Sequence, residues 1–72
     1  MIEINTKELG KRIKELRTDL GLSQKELAEK VGVAVNTISQ YESGISKTSI
    51  DVLANLAVEL ETTTDYLLGL CD

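Results

Sequence analysis

The chain has 72 residues, eight Lys or Arg against twelve Asp or Glu, a formal charge of −4, and neither histidine nor proline. That length fits one small domain, expected to span residues 1–72 with its core about 6–69, and its core supplies only a few kcal/mol of net stability. A single cysteine, Cys71, excludes an internal disulfide, and the missing histidine removes the familiar zinc-ligand sets, so no metal or other cofactor is expected.

No apolar run approaches the ~20 residues needed to cross a bilayer. The start, Met1-Ile2-Glu3-Ile4, is unlike a signal peptide, and a lone thiol suits a reducing compartment. A cytoplasmic protein with no membrane partner is the expectation. The charge is unevenly placed. Residues 1–47 hold eight bases and seven acids, whereas residues 48–72 hold five acids and no base. A near-neutral half with its bases on one face can meet phosphate, and the acidic half then faces elsewhere. A solvated acidic surface explains the second half equally well.

Apolar spacing and end signals predict five short helices and no strands. The first runs from Thr6 to Leu20, with Leu9, Ile13, Leu16 and Leu20 on one face and Lys7, Lys11, Arg12 and Lys14 on another. Asn5 and Glu8 suit its start, and Gly21 its stop. Ser23-Gln24-Lys25-Glu26 is the S-x-x-E capping box of a second helix that buries Leu27, Ala28 and Val31 and ends at Gly32. A third spans Val35 to Ser43, burying Ile38 and Tyr41 and ending at Gly44. A fourth starts at Thr48 or Ser49, with Ile50, Leu53, Leu56, Ala57 and Leu60 as its apolar stripe. A last turn or two covers Thr63 to Leu68, with Gly69 beyond.

The second and third helices are joined by Gly32-Val33-Ala34, too tight a link for an antiparallel pair, so they meet at a steep angle. Ala28 is small where they cross, Gly32 takes the positive φ of the turn, and Val33 and Ile38 fill the gap to the first helix. The third helix then turns Val35, Asn36, Ser39, Gln40 and Ser43 outward. This face holds amides and hydroxyls and no Lys or Glu, a set able to donate and accept toward base edges.

Gln24-x-x-Leu27-Ala28-x-x-x-Gly32-Val33, followed by Ile38-Ser39-x-Tyr41-Glu42-x-Gly44, resembles the lambda-repressor-like helix-turn-helix family, also called the xenobiotic-response-element family. Ile13-x-x-Leu16-Arg17 is similar to that family's first helix. Leu53-x-x-Leu56-Ala57 and Asp65-Tyr66-Leu67-Leu68-Gly69 are similar to its closing helices. The resemblance implies an all-α, compact five-helix DNA-binding domain whose third helix lies in the major groove of double-stranded DNA. It further implies base contacts from Val35, Asn36, Ser39 and Gln40, with Asn36 and Gln40 as the principal readers because amides bond adenine in a bidentate way. Gln24, Thr37, Ser43, Lys47 and Arg17 are the implied phosphate contacts, and Gln24 is also implied to orient the third helix. Arg17 and Glu42 match a family ion pair joining the first helix to the third, a structural role that stands beside the phosphate role for Arg17.

Four positions depart from the family's habit. Ala34 replaces a Ser or Thr cap at the start of the third helix, a loss of about 1 kcal/mol that leaves its N–H groups for a phosphate. Val35 stands for a polar or basic residue, Thr48 for a proline, and Glu61 for the Gly or Asn that usually ends the fourth helix.

So few base-reading donors and cations imply binding as a homodimer on a palindromic site, with half-sites roughly 34 Å apart. Tyr66, Leu67, Leu70 and Cys71 form the expected contact surface, with packing onto the fourth helix as the equal alternative. The leading function is a sequence-specific transcriptional regulator, a repressor first of all. The alternative is a protein-interaction adaptor on the same fold, such as an antitoxin bound to a toxin. An enzyme is not expected, since the chain has no His, Gly-rich phosphate loop or paired carboxylates in a predicted cleft.

Overall fold

A computed structural model describes residues 2–70, so the expectations on Cys71 lie outside the described residues. The chain forms α1 (Thr6–Asp19), α2 (Gln24–Val31), α3 (Val35–Ser43), α4 (Ile50–Glu59) and α5 (Thr64–Leu68), with no strand among the described residues. Four helices begin on a side-chain cap, which satisfies N–H groups that the helix itself cannot. Asn5, Ser23, Ser49 and Thr63 accept from the backbone of Glu8, Glu26, Val52 and Tyr66 respectively. Ser23 and Glu26 complete a reciprocal capping box, whereas Ala34 leaves α3 without a side-chain cap.

All five helices contribute to one core, in which Ile13, Leu27, Ile38, Leu56, Leu60 and Leu67 are fully buried. Burying an aliphatic side chain of this size is worth about 1.5–3 kcal/mol, and this set is what draws the helices together. The backbones of α1 and α3 approach closely at Gly10. A Cβ there would collide with the carbonyl oxygen of Tyr41 and lie 2.5 Å from that of Glu42. Thr6 Oγ1 donates to Gly44 O at 3.0 Å and ties the start of α1 to the end of α3. Gly44 has φ +81°, and a side chain on it would meet Lys7 Cα at 2.9 Å.

Two apolar positions sit differently from their sequence-based placement. Leu20 is exposed, because α1 ends at Asp19 and the chain reverses there through Gly21 N–H to Thr18 O and Leu22 N–H to Arg17 O. Leu22 then packs on the core in its stead. Ile50 is 85% exposed. As the first residue of α4 it leans past the helix end, and Val52 joins Leu53 against the core instead. Of the two placements open for Leu67, packing within the domain is the one observed: it is 0% exposed in the core, and so leaves the expected dimer surface. No helix among the described residues is long and apolar enough to cross a membrane.

Candidate nucleic-acid interface

The turn between α2 and α3 is set by Gly32, which caps α2 in the left-handed region at φ 78° and donates to Ala28 O. Val33 N–H reaches the same carbonyl at 3.0 Å. Ala28 is buried at this junction, and Ile38 and Tyr41 anchor α3 from beneath. Rigidity of this kind fixes which side chains of α3 face out. Val35, Asn36, Ser39, Gln40 and Ser43 are all exposed, and Thr37 is half-buried beside them. With about 100° between successive residues, 36, 40 and 43 follow one line along the helix, and 35 and 39 a line beside it.

Glu42, on the inward side of α3, organises what lies behind that face. Arg17 Nε donates to Glu42 Oε2 at 2.6 Å and Nη2 to Oε1 at 3.1 Å, while Nη1 donates to Leu22 O at 2.8 Å. Gln24 Nε2 donates to the same Oε1 at 3.0 Å. One carboxylate therefore joins α1, the first residue of α2 and α3. Arg17 is 8% exposed, and its guanidinium is spent inside this network rather than turned toward solvent. Gln24 is half-buried at the start of α2, and its amide orientation is set by Glu42. Ser43 is exposed, with its hydroxyl donating to Gln40 O at 3.1 Å, and Lys47 is exposed in the loop that follows.

The basic residues divide into two groups. Lys7 packs on the C-terminal end of α3 at Gly44, and the Arg12 guanidinium lies within 3.1–3.4 Å of the Cβ position of Gly69, at the end of α5. The Arg12 cation there complements the partial negative charge of a helix C-terminus. Lys30 Nζ sits 4.0 Å from Glu59 Oε1, a largely exposed pair of small energetic weight. Lys11, Lys14, Lys25 and Lys47 are exposed.

Sequence reading missed four contributors. Gly10 carried a usable signal, since an isolated glycine inside a helix pattern commonly marks close packing. Nothing local in the sequence pointed to the Gln24–Glu42 bond, to Arg12 at the end of α5, or to Ser46, whose Oγ donates to Gln40 Oε1 at 3.3 Å.

Two helices crossing behind a rigidly held polar face, closed by three more helices, define the class as a helix-turn-helix domain. A family model described as helix-turn-helix matches residues 13–67. The chain belongs to the lambda-repressor-like helix-turn-helix family. It is 44% identical over 61 residues to the HTH-type transcriptional regulator ImmR of Bacillus subtilis, covering 85% of this chain and 48% of that protein. The match thus spans about half the length of that relative. Among solved structures it is similar to the P22 c2 repressor in complex with a synthetic operator, with a TM-score of 0.82, 35% identity and coverage of 83% and 91% of the two chains. The biofilm regulator SinR in complex with DNA matches with a TM-score of 0.78 and 38% identity, covering 83% of this chain and 97% of that one.

Proposed function

We propose that this chain is the sequence-reading unit of a transcriptional regulator, most directly a repressor, that binds double-stranded DNA in the cytoplasm as a homodimer. One observation carries the reading: α3 holds Asn36 and Gln40 exposed on a common line, on a helix fixed from behind by Ile38, Tyr41 and the Glu42 network. Val35, 44% exposed at the helix start, supplies apolar contact with a thymine methyl, and Ser39 a secondary polar contact. Gln24, Thr37, Ser43 and Lys47 contact the sugar-phosphate backbone. Arg17 acts through Glu42, which orients Gln24.

Dimerisation supports affinity because each copy brings few cations, and two copies double the phosphate contacts. Tyr66 and Leu70 remain of the C-terminal contact surface. Selection of the purified chain against random duplex DNA, with the mass of the complex measured, tests this. A palindromic site bound by two copies is expected, and no enriched site would contradict it.

The acid-only second half favours one other reading, a protein partner bound on α4 and α5 as in an antitoxin. Copurification with the product of a neighbouring gene, in a chain that enriches no DNA site, is the result that selects it.

A further inference from the structure

Lys25 follows Gln24 at the start of α2, is exposed, and forms no salt bridge among the described residues. Nothing in the family pattern above singles it out. We infer that Lys25 is a DNA phosphate contact that holds α2 to the duplex whatever the base sequence. The inference rests on the DNA-reading proposal above and adds a cation to that interface.

The two flanks of α2 are told apart by what they face. Successive residues turn by about 100°, so Leu27, Ala28 and Val31 share one buried stripe, with Leu27 and Ala28 on opposite sides of Val31. Lys30 stands on the Leu27 side, about 110° from the middle of the stripe, and its Nζ lies 4.0 Å from Glu59 Oε1 of α4. That flank of α2 therefore faces α4. Lys25 stands about as far round on the other flank, the Ala28 side.

The second helix packed on α2 is α3, and the Ala28 side is the one left for it. Gln24, at the head of the stripe, donates to Glu42 Oε1 of α3 at 3.0 Å, which ties the first turn of α2 to the helix that carries the reading face. Lys25 thus borders that face, while Lys30 is turned from it. The nearby acids do not neutralise Lys25. The Glu26 carboxylate accepts from Ser23 N–H at 2.9 Å on the far flank. Glu29, one turn on, stands farther round toward solvent, about 155° from the middle of the stripe.

The consequence is electrostatic. Adjacent Cα atoms are about 3.8 Å apart and phosphates recur every ~3.4 Å of axis along a strand, so a flexible lysine beside Gln24 reaches the same phosphate or the next. Its ammonium acts as a point charge and carries no sequence information. Arg17 is spent on Glu42, which leaves Lys47 as the cation facing DNA, so Lys25 doubles the free cations that each copy brings.

The test compares the native chain with Lys25→Gln, Lys25→Arg and Lys30→Gln. Each is bound to the selected site and to an unrelated duplex from about 50 to 200 mM salt. Lys30→Gln removes the same charge from the opposite flank. Lys25→Gln should weaken both duplexes by the same factor and lower the log–log salt slope by about 0.9 per bound copy. The ratio of native to variant affinity then falls about 3.5-fold per copy across that range. Lys25→Arg and Lys30→Gln should keep the native slope, and no thermal midpoint should move, as it would if Lys25 only supported α2. An unchanged slope in Lys25→Gln, an equal change in Lys30→Gln, or a loss confined to the selected site overturns the inference while the DNA-reading proposal stands. A native chain that binds neither duplex overturns both.

Discussion

Arg17 and Glu42, 25 positions apart in the chain, meet through two hydrogen bonds of 2.6 and 3.1 Å and lock α1 against α3. Both side chains are at least nine-tenths buried, so each charge depends on the other for what water would have supplied. Removing one partner leaves the other stranded. Glu42→Ala should cost about 3 kcal/mol, the low end for a buried pair because Arg17 keeps its bond to Leu22 O. Arg17→Met combined with Glu42→Leu should stay close to the native thermal midpoint, since it leaves no buried charge. That double variant should nevertheless bind DNA more weakly, because Gln24 loses the carboxylate that orients it. Equal DNA affinity in the double variant would separate the network from the interface.

Gly10→Ala should be among the most damaging single-methyl changes in the chain. The added Cβ collides with backbone atoms of Tyr41 and Glu42, which cannot rotate away as a flexible side chain would. Overpacking of this kind costs about 1–3 kcal/mol, and more where backbone must shift. Urea denaturation of the variant checks it, and a loss under 0.5 kcal/mol (well below the roughly 1 kcal/mol floor for overpacking) would show that α1 and α3 separate easily.

Glu61 ends the α4 turn at φ 57°, in the left-handed region that costs a side-chain-bearing residue roughly 1 kcal/mol. Glu61→Gly relieves that and should stabilise by about 0.5–1 kcal/mol, visible as a rise of several degrees in thermal midpoint. The gain should leave DNA binding untouched, since the position lies between α4 and α5 and away from α3.

Acid should loosen α2 through its cap. The Glu26 carboxyl is held below its ordinary value, first by the Ser23 backbone N–H, then by the Ser23 side-chain bond, and least by the Lys30 charge. Because the folded value is the lower one, the contribution is fully present above the ordinary carboxylate range. It is lost as pH falls through the folded value. The thermal midpoint of the native chain should therefore fall toward that of Glu26→Gln as the solution is acidified. A difference that stays constant with pH would contradict the role assigned to the cap.

How much of this was legible beforehand depended on range. Helices with a cap and a periodic stripe, such as α2 behind Ser23-x-x-Glu26, could be read because every determining contact lies within four residues. Which face of α3 is exposed followed from the same periodicity, since Ile38 and Tyr41 fix the opposite side. Leu20 and Ile50 were misplaced because both sit at helix ends, where the turn geometry rather than the 3.6-residue period decides direction. Leu67 was ambiguous for a different reason. Whether an apolar residue near a terminus covers its own domain or another copy depends on where α1 and α4 stand, which no local pattern encodes. The anchoring of Gln24 was equally hidden, because Glu42 reaches it only after α3 is docked, and the Gln40–Ser46 contact depends on the turn after Gly44.

The most direct measurement compares Asn36→Ala and Gln40→Ala with the native chain on its selected site and on an unrelated duplex of equal length. Each change should weaken binding to the selected site by about 1–3 kcal/mol, with little effect on the unrelated duplex. Equal losses on both duplexes, or no loss on either, would contradict the claim that α3 reads base sequence.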